Sequence, residues 1–211
     1  YRTGILPLGA YDFISSLILI CEKRGEDFFP LACFKFSSAQ RAAEYNLPFE
    51  LMGWFNSPNE AVQKEAVESV LREAAQRKED VGYSSSWTID PAKRQCRTLG
   101  PILKDLSLSV MLELNRRQNP NQEMMLGGVL RFKVDKVMSP LGFELLELEG
   151  KQVPPVNAWF ASGEAAILMH MKKISDYGHA LMNQYKSYWD NRIRIAVDEG
   201  SAVERDEQKA A

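Results

Sequence analysis

A strand, a basic turn and a long helix in residues 82–117 constrain the fold most strongly. Residues 83–91 (YSSSWTIDP) are typical of a β-strand that stops at Pro91, because proline has no N–H for a strand ladder. After a tight turn at residues 93–98, apolar residues recur at helical spacing over 99–117. Another apolar strand pattern starts at residue 123. A strand, a crossing helix and a second strand predict parallel pairing of the two strands.

A hairpin precedes this unit and makes the predicted sheet mixed. Two β-rich runs, 17–21 and 31–36, flank a charged turn that contains Gly25. The other predicted elements are a loop or short helix at 37–46, an extended apolar segment at 47–55, a helix over 60–78 capped by Ser57 or Asn59, a strand from 123 to 134, a short proline-broken helix at 135–142, strands at 143–150 and within 153–171, and a helix over 177–195. The pattern predicts an α/β fold with a mixed, twisted sheet flanked by helices.

Charge and cysteine content exclude several classes of function. The net charge is −2 and no basic stripe is present, which argues against nucleic-acid binding. Two histidines and three cysteines without a CxxC pair argue against a Cys/His metal site. Cys21 and Cys33 lie in apolar runs and are predicted to be small buried side chains, which fits a reducing cytoplasm. No apolar run reaches the roughly 20 residues that span a bilayer, and no secretory segment is recognised.

The basic turn has the character of an anion site. The first turn of a helix carries unpaired N–H groups and the positive end of the helix dipole. Arg94 and Arg97 add charged donors beside it. A phosphate group is one interpretation of this turn, and a solvated basic turn without a ligand is the other.

The order of these motifs resembles a known superfamily. The segments SSSWTIDPAKRQCRTLGPILKDLSLSVM and GGVLRFKVDKVMSPLGFELL are similar to the core of the GNAT acyltransferases. The matching positions are Ile89, Asp90, Pro91, Arg94, Gly100, Leu141, Gly142 and Phe143. The segments NLPFE and PVNAWF resemble the branch of long-chain N-acyl amino acid synthases, which is related to the acyl-homoserine lactone synthases. The resemblance covers residues 11–171.

The resemblance implies an N-acyltransferase with a GNAT-like sheet. Such an enzyme moves a medium or long acyl group from acyl-carrier protein or acyl-CoA to an amine such as an amino acid. The donor, acyl-CoA or acyl-phosphopantetheine, is not permanently bound, and no metal is implied. The residues implied to bind the acyl donor are Ser86, Trp87, Thr88, Ile89, Arg94, Arg97, Leu99 and Gly100.

Catalysis is assigned to Glu50 and Tyr83. Glu50 is expected to take the proton of the attacking amine, and Tyr83 to act as a relay or acid. The alternatives are a surface carboxylate for Glu50 and a half-buried aromatic side chain for Tyr83. His170 alternates with apolar residues and is interpreted as a histidine of the sheet.

The chain departs from the family pattern at three positions. Arg97 stands where the family has its first turn glycine, Met138 where many members have a tyrosine acid, and Tyr83 where the synthase branch tends to carry glutamate. Fewer glycines leave fewer backbone amides for a pyrophosphate, which favours a single phosphate on a carrier-protein arm or a lost cofactor site. A non-catalytic module for ligand sensing or partner binding is therefore the competing hypothesis.

The predicted domain organisation has three parts. A GNAT-like domain covers residues 1–176, a C-terminal helix covers 177–196, and a disordered polar tail covers 197–211. The family's first strand and first helices are largely missing, and the chain starts at Tyr1 without an initiator methionine, which suggests that the numbering begins inside a longer protein. Apolar and aromatic residues on one face of the C-terminal helix predict packing onto the sheet, contact with a membrane surface, or a homodimer.

Overall fold

The computed structural model describes residues 9–158 and 163–193. The strands are β1 (Ser16–Arg24), β2 (Asp27–Ser38), β3 (Gly82–Ile89), β4 (Met124–Val129), β5 (Glu144–Leu145), β6 (Glu147–Leu148), β7 (Lys151–Gln152), β8 (Val156–Ala158) and β9 (Glu164–Met171). The helices are α1 (Ala10–Ile14), α2 (Ala39–Glu44), α3 (Ala61–Arg77), α4 (Pro91–Arg94), α5 (Leu99–Gln118), α6 (Val134–Met138), α7 (Asp176–Gln184) and α8 (Lys186–Asp190). Short 3₁₀ helices span Glu50–Trp54, Pro58–Glu60, Leu130–Phe132 and Ser139–Leu141.

The predicted hairpin is confirmed and forms one edge of the sheet. β1 and β2 pair antiparallel from Ser16–Phe36 to Arg24–Asp27, and Gly25 turns the chain with φ of 62°. β2 also pairs antiparallel with β3 on its other side. The hairpin thereby brings residues of β2 into register with the strand that precedes the basic turn.

The predicted parallel strand–helix–strand unit is confirmed. β3 and β4 pair parallel, and α5 connects them. β9 then pairs antiparallel with β4, and both β5 and β8 pair with β9. The seven strands of this sheet follow the order β1-β2-β3-β4-β9-β5, with β8 also on β9, while β6 and β7 form a separate two-stranded ribbon. The fold is the mixed α/β sheet flanked by helices that the sequence predicted.

The core lies on both faces of the sheet. On one face, Phe34 and Phe36 of β2 pack with residues of α5, α7 and α8. On the other face, Tyr83 of β3 and Met125 of β4 pack with the apolar stripe of α3. This arrangement follows from the period of two along each strand, because neighbouring side chains point to opposite faces.

The segment 47–55 corrects one prediction, because it is not extended. Leu51 is fully buried and Phe49 nearly so, and both pack in the core beside α3. The N–H of Met52 donates to the carbonyl oxygen of Phe49 at 2.8 Å, which begins the 3₁₀ helix Glu50–Trp54. A short apolar run has no reliable period, so burial of Leu51 and local hydrogen bonds decided its conformation.

Two predicted strands are divided or shorter, and the basic turn contains a short helix. The strand predicted at 143–150 divides into β5, which pairs with β9 of the large sheet, and β6, which pairs with β7 in the separate ribbon. The strand predicted from residue 123 ends at Val129, and a 3₁₀ helix follows. The basic turn contains α4, since the side chain of Asp90 accepts the N–H of Ala92 at 2.9 Å and caps one helical turn.

The C-terminal helix is broken at Tyr185, where the backbone leaves the helical conformation between α7 and α8. Leu181, Tyr185 and Trp189 are buried in the core, whereas Tyr188 and Ile193 are exposed. Residues 194–195 of the predicted helix and the tail at 197–211 lie outside the described residues. In residues 9–158 and 163–193, no helix combines the length and hydropathy needed to cross a bilayer.

Candidate functional site

The carboxylate of Glu50 is the centre of a polar cluster on the α3 face of the sheet. Lys35 Nζ lies 2.8 Å from Glu50 Oε1, and the hydroxyl of Ser37 donates to Oε2 at 3.0 Å. The hydroxyl of Ser85 donates to Oε1 at 3.4 Å. The Glu50 side chain is 16% exposed, so a small solute can still reach it.

Strand register explains why these groups meet. Lys35 and Ser37 are two residues apart on β2, and Tyr83 and Ser85 are two residues apart on β3. The ladder pairs Lys35 with Ser85 and Ser37 with Tyr83, so all four side chains emerge from one face. The 3₁₀ helix that follows Phe49 then places Glu50 above them.

A second carboxylate reaches the same lysine. Asp12 of α1 lies 3.1 Å from Lys35 Nζ, and the N–H of Gly9 donates to Asp12 at 2.8 Å. That backbone bond, helped by Lys35, holds the pKa of Asp12 below its ordinary value. Burial acts to lower the pKa of Lys35, but Glu50 and Asp12 outweigh it and the pKa is raised. Lys35 is therefore a firmly charged cation between two carboxylates.

Tyr83 lies beside Glu50 and is 2% exposed. Its ring packs edge-on against Phe49, with centroids 5.7 Å apart. Burial first, and the charge of Glu50 second, raise the pKa of Tyr83 well above its ordinary value, against a hydrogen bond with Trp54. Tyr83 is thus a neutral phenol at physiological pH. The structure brings together both residues that the sequence assigned to catalysis.

The parallel strands β3 and β4 separate at the level of this cluster. Their ladder joins Gly82–Ser84 to Met124–Leu126, and beyond these residues the described strands continue without pairing to each other. Trp54 spans the fork, since it bonds to Tyr83 of β3 and lies on Gly127 of β4. A Cβ atom at Gly127 would stand 2.3 Å from the Trp54 ring, so only glycine admits this contact.

The donor-binding residues predicted on β3 lie along the separated part of the strand. The ladder between β2 and β3 shifts between Cys33 and Lys35, and Ser86 adopts φ of 57° opposite the shift. This bulge leaves Ser86 and Thr88 exposed, while Trp87 is half-buried and Ile89 buried. Bulges redirect side chains and interrupt pairing, and they are common beside binding sites.

The basic turn is more closed than a phosphate cradle requires. Gly100 lies against the backbone of Arg94, and a Cβ atom on Gly100 would be 2.5 Å from the carbonyl oxygen of Arg94. The N–H of Gly100 donates to the carbonyl oxygen of Cys96 at 2.9 Å. The chain itself therefore uses part of the α5 N-terminus, next to half-buried Leu99. Arg94 and Arg97 are exposed and have no ion-pair partner within residues 9–158 and 163–193. Two cations remain there for an anion, whereas the cation that pairs with Glu50 is Lys35.

Cys96 in this turn was not singled out from the sequence. Its thiol contacts the Thr98 hydroxyl at 3.4 Å. A hydrogen bond with Thr98, followed by the N–H groups of Leu99 and Thr98, lowers the pKa of Cys96 to about 7. Cys21 and Cys33 are half-buried on the hairpin, and burial raises the pKa of each.

Sequence reasoning also missed Lys35, Asp12 and Trp54. Lys35 carried a usable signal, because it is a charged residue between Phe34 and Phe36 in an apolar strand. A lysine at such a position has to find a partner when the sheet is covered. Asp12 and Trp54 gave no comparable local signal.

His170 lies away from the fork, near the start of β4. Its Nε2 is 2.8 Å from Oε1 of Glu123, whose other oxygen bonds to Arg77. In the described chain, no group of three or more histidine, cysteine, aspartate or glutamate side chains is placed to hold a metal ion. These contacts join the end of α3, the residue that precedes β4, and β9, and this cluster is interpreted as structural.

A scan of the chain against protein-family models finds no matching family, and a search of the curated proteins finds no match either. The features that point to a function are the geometry of the Glu50 cluster and the fork between β3 and β4.

Proposed function

We propose that this protein is an N-acyltransferase of the GNAT type, which moves a medium or long acyl group to an amine such as an amino acid. The observation that carries the proposal is the position of Glu50 beside the point where β3 and β4 separate. Separated parallel strands expose backbone groups that can pair with an acyl donor, and a partly exposed carboxylate is the group that amine attack needs.

The reaction requires one bond exchange and one proton route. The amine nitrogen attacks the thioester carbonyl carbon, the N–C bond forms, and the C–S bond breaks. Glu50 takes one proton from the ammonium form of the amine so that its nitrogen can attack, and the proton lost as the amide forms passes to the sulfur, which departs as a thiol. Tyr83, kept neutral by burial, can donate a hydrogen bond at the fork but is a poor base.

The donor side is assigned to Ser86, Trp87, Thr88 and Ile89, with Arg94 and Arg97 holding a phosphate and Leu99 and Gly100 at the helix N-terminus. Two arginines without an ion-pair partner in the described part of the chain, and a partly closed N-terminus, favour one phosphate over a pyrophosphate. We therefore favour acyl-phosphopantetheine on a carrier protein over acyl-CoA. A cytoplasmic location belongs to the same proposal, as do a peripheral membrane contact or a homodimer through the exposed Tyr188 and Ile193.

The second candidate is a non-catalytic ligand-sensing or partner-binding module. The contacts of Glu50 favour it, because a carboxylate held by Lys35 and by the hydroxyls of Ser37 and Ser85 can serve a purely structural role. The closure of the turn at Gly100 favours it as well.

Thiol release separates the two functions. Matched acyl chains on carrier protein and on CoA are offered with a panel of amines, and free thiol and N-acyl product are measured together. An acyltransferase yields equal amounts of both and requires the amine. Absence of thiol release with every donor would favour the binding module, and equal use of acyl-CoA would contradict the preference for the carrier protein.

A further inference from the structure

A polar pocket lies next to the Glu50 cluster, between α1, the start of β1, the end of β2 and α2. Its volume is about 450 Å³, which is large enough for a small organic molecule. Phe13, Ser15, Ser37, Arg41, Asp80 and Gln118 are among the residues that line it. We call it the α1–α2 pocket.

The charge that remains free in this pocket is negative. The side chain of Arg41 is engaged, since it lies 3.4 Å from Glu44 and over the ring of Tyr45. Asp80 has no ion-pair partner among residues 9–158 and 163–193. Its Oδ1 accepts the N–H groups of Gln40 at 2.9 Å and Val81 at 2.8 Å, which fix the carboxylate. In the part of the chain that the structure describes, no hydrogen bond or ion pair engages its second oxygen, so a cation can bind there.

The rim of the pocket also suits a ligand with an ammonium group. The ring of Phe13 is 75% exposed there, and aromatic faces attract cations. The fixed carboxylate of Asp80 and this ring together recognise an ammonium group.

The pocket is connected to Glu50 through one side chain. Ser37 lines the pocket, and its hydroxyl donates to Glu50 at 3.0 Å. We propose that the α1–α2 pocket binds a small cationic amine through the carboxylate of Asp80 and the ring of Phe13. Its identification as the acyl acceptor rests on the proposed function, whereas binding itself does not. The preferred ligand is then an amine with net positive charge.

Direct binding tests the pocket without an acyl donor. Ethanolamine is titrated into the isotope-labelled protein and backbone amide shifts are followed by NMR, with acetate as the oppositely charged probe. Ethanolamine should shift the amides of residues 13–16 and 40–41, and acetate should leave them in place. Equal shifts with acetate, or ethanolamine shifts confined to other residues, would overturn the inference.

Variants assign the contact to Asp80. Asp80→Asn keeps an oxygen for the two backbone donors and removes the charge, so the dissociation constant for ethanolamine should rise about tenfold to a hundredfold. Asp27→Asn, at the exposed hairpin turn, is the matched control and should bind like the parent. An unchanged dissociation constant in folded Asp80→Asn would contradict the proposal.

The two proposals fail in distinguishable ways. Ethanolamine binding that depends on Asp80, without acyl transfer from any donor, would support the pocket and contradict the proposed function. Acyl transfer with an unchanged KM for the amine in Asp80→Asn would support the proposed function and contradict the pocket as the acceptor site.

Discussion

The ammonium group of Lys35 lies 2.8 Å from a carboxylate oxygen of Glu50 and 3.1 Å from one of Asp12. Lys35 thus binds two carboxylates, and the three groups together carry one negative charge. A cationic amine that reaches Glu50 meets an attractive site, and Lys35 keeps the carboxylate oriented beside Ser37 and Ser85. The ion pair between Lys35 and Glu50 therefore fixes the position of the carboxylate to which the proposed chemistry assigns proton transfer.

Glu50→Gln should slow acyl transfer by about a hundredfold or more while donor affinity stays unchanged, because the amide keeps the shape and removes the basic group. Single-turnover rates and donor binding are measured on the same preparation. Glu68→Gln, on the exposed side of α3, is the control and should act like the parent. If Glu50→Gln turns over like the parent at neutral pH, Glu50 is not the base and has a structural role.

Replacing both Arg94 and Arg97 with alanine should weaken donor binding by about tenfold to a hundredfold per arginine, since each loses a charge-assisted contact with a phosphate. Both side chains are exposed, so the thermal midpoint should hardly change. Isothermal titration with the acyl donor measures the effect, and Arg72→Ala together with Lys64→Ala on α3 matches the loss of charge. If the arginine variant binds the donor like the parent, the turn is only solvated.

Cys96 should be the fastest cysteine to alkylate, because its pKa of about 7 leaves about half of it as thiolate at neutral pH. Burial raises the pKa of Cys21 and Cys33, so both should react slowly. Iodoacetamide labelling from pH 5 to 9, read by peptide mass spectrometry, gives the titration curve. Thr98→Val should shift that curve to higher pH, and a curve centred near 8.5 in the parent would disprove the stabilised thiolate.

The Glu123 cluster should contribute to acid sensitivity. Burial acts to raise the pKa of Glu123, but His170 and Arg77 outweigh it and hold the pKa below its ordinary value. The folded state therefore binds fewer protons here than the unfolded state. The stabilisation is present above the unfolded pKa of about 4.3 and is lost as the pH falls through the lower folded pKa.

Glu123→Gln should lower the free energy of unfolding at pH 7 by about 1–3 kcal/mol. The difference from the parent should shrink between about pH 5 and pH 3. Urea unfolding at several pH values provides the measurement. A difference that is constant across this range would show that the charge of Glu123 does not stabilise the fold.

Gly127→Ala tests the contact that spans the fork. The new methyl group would meet the Trp54 ring at 2.3 Å, and overpacking of this kind costs about 1–3 kcal/mol. Gly53→Ala, whose Cβ would meet nothing within 4 Å, is the matched control and should cost much less. Chemical denaturation compares the two variants, and equal stability would place Trp54 away from Gly127.

The local pattern of the sequence determined the strand–helix–strand unit and the hairpin. Pro91 ends β3, helical spacing defines α5, and a charged turn with Gly25 separates β1 from β2. These signals act over a few residues, so the sequence alone predicts them. The order of the elements also placed Glu50 after the hairpin. It did not identify the residues that contact Glu50 in the folded chain.

Tertiary structure decided the chemistry around Glu50. Asp12, Lys35, Glu50 and Ser85 are far apart along the chain, and only strand register and the burial of Leu51 bring their side chains together. The closure at Gly100 is local, since the carbonyl oxygen of Arg94 in α4 lies on the N-terminus of α5, yet the sequence pattern predicted only a tight basic turn there. Periodicity reports which face of an element is buried but not which distant residue covers it, and so charge pairing and hydrogen bonding across elements became visible only in the folded chain.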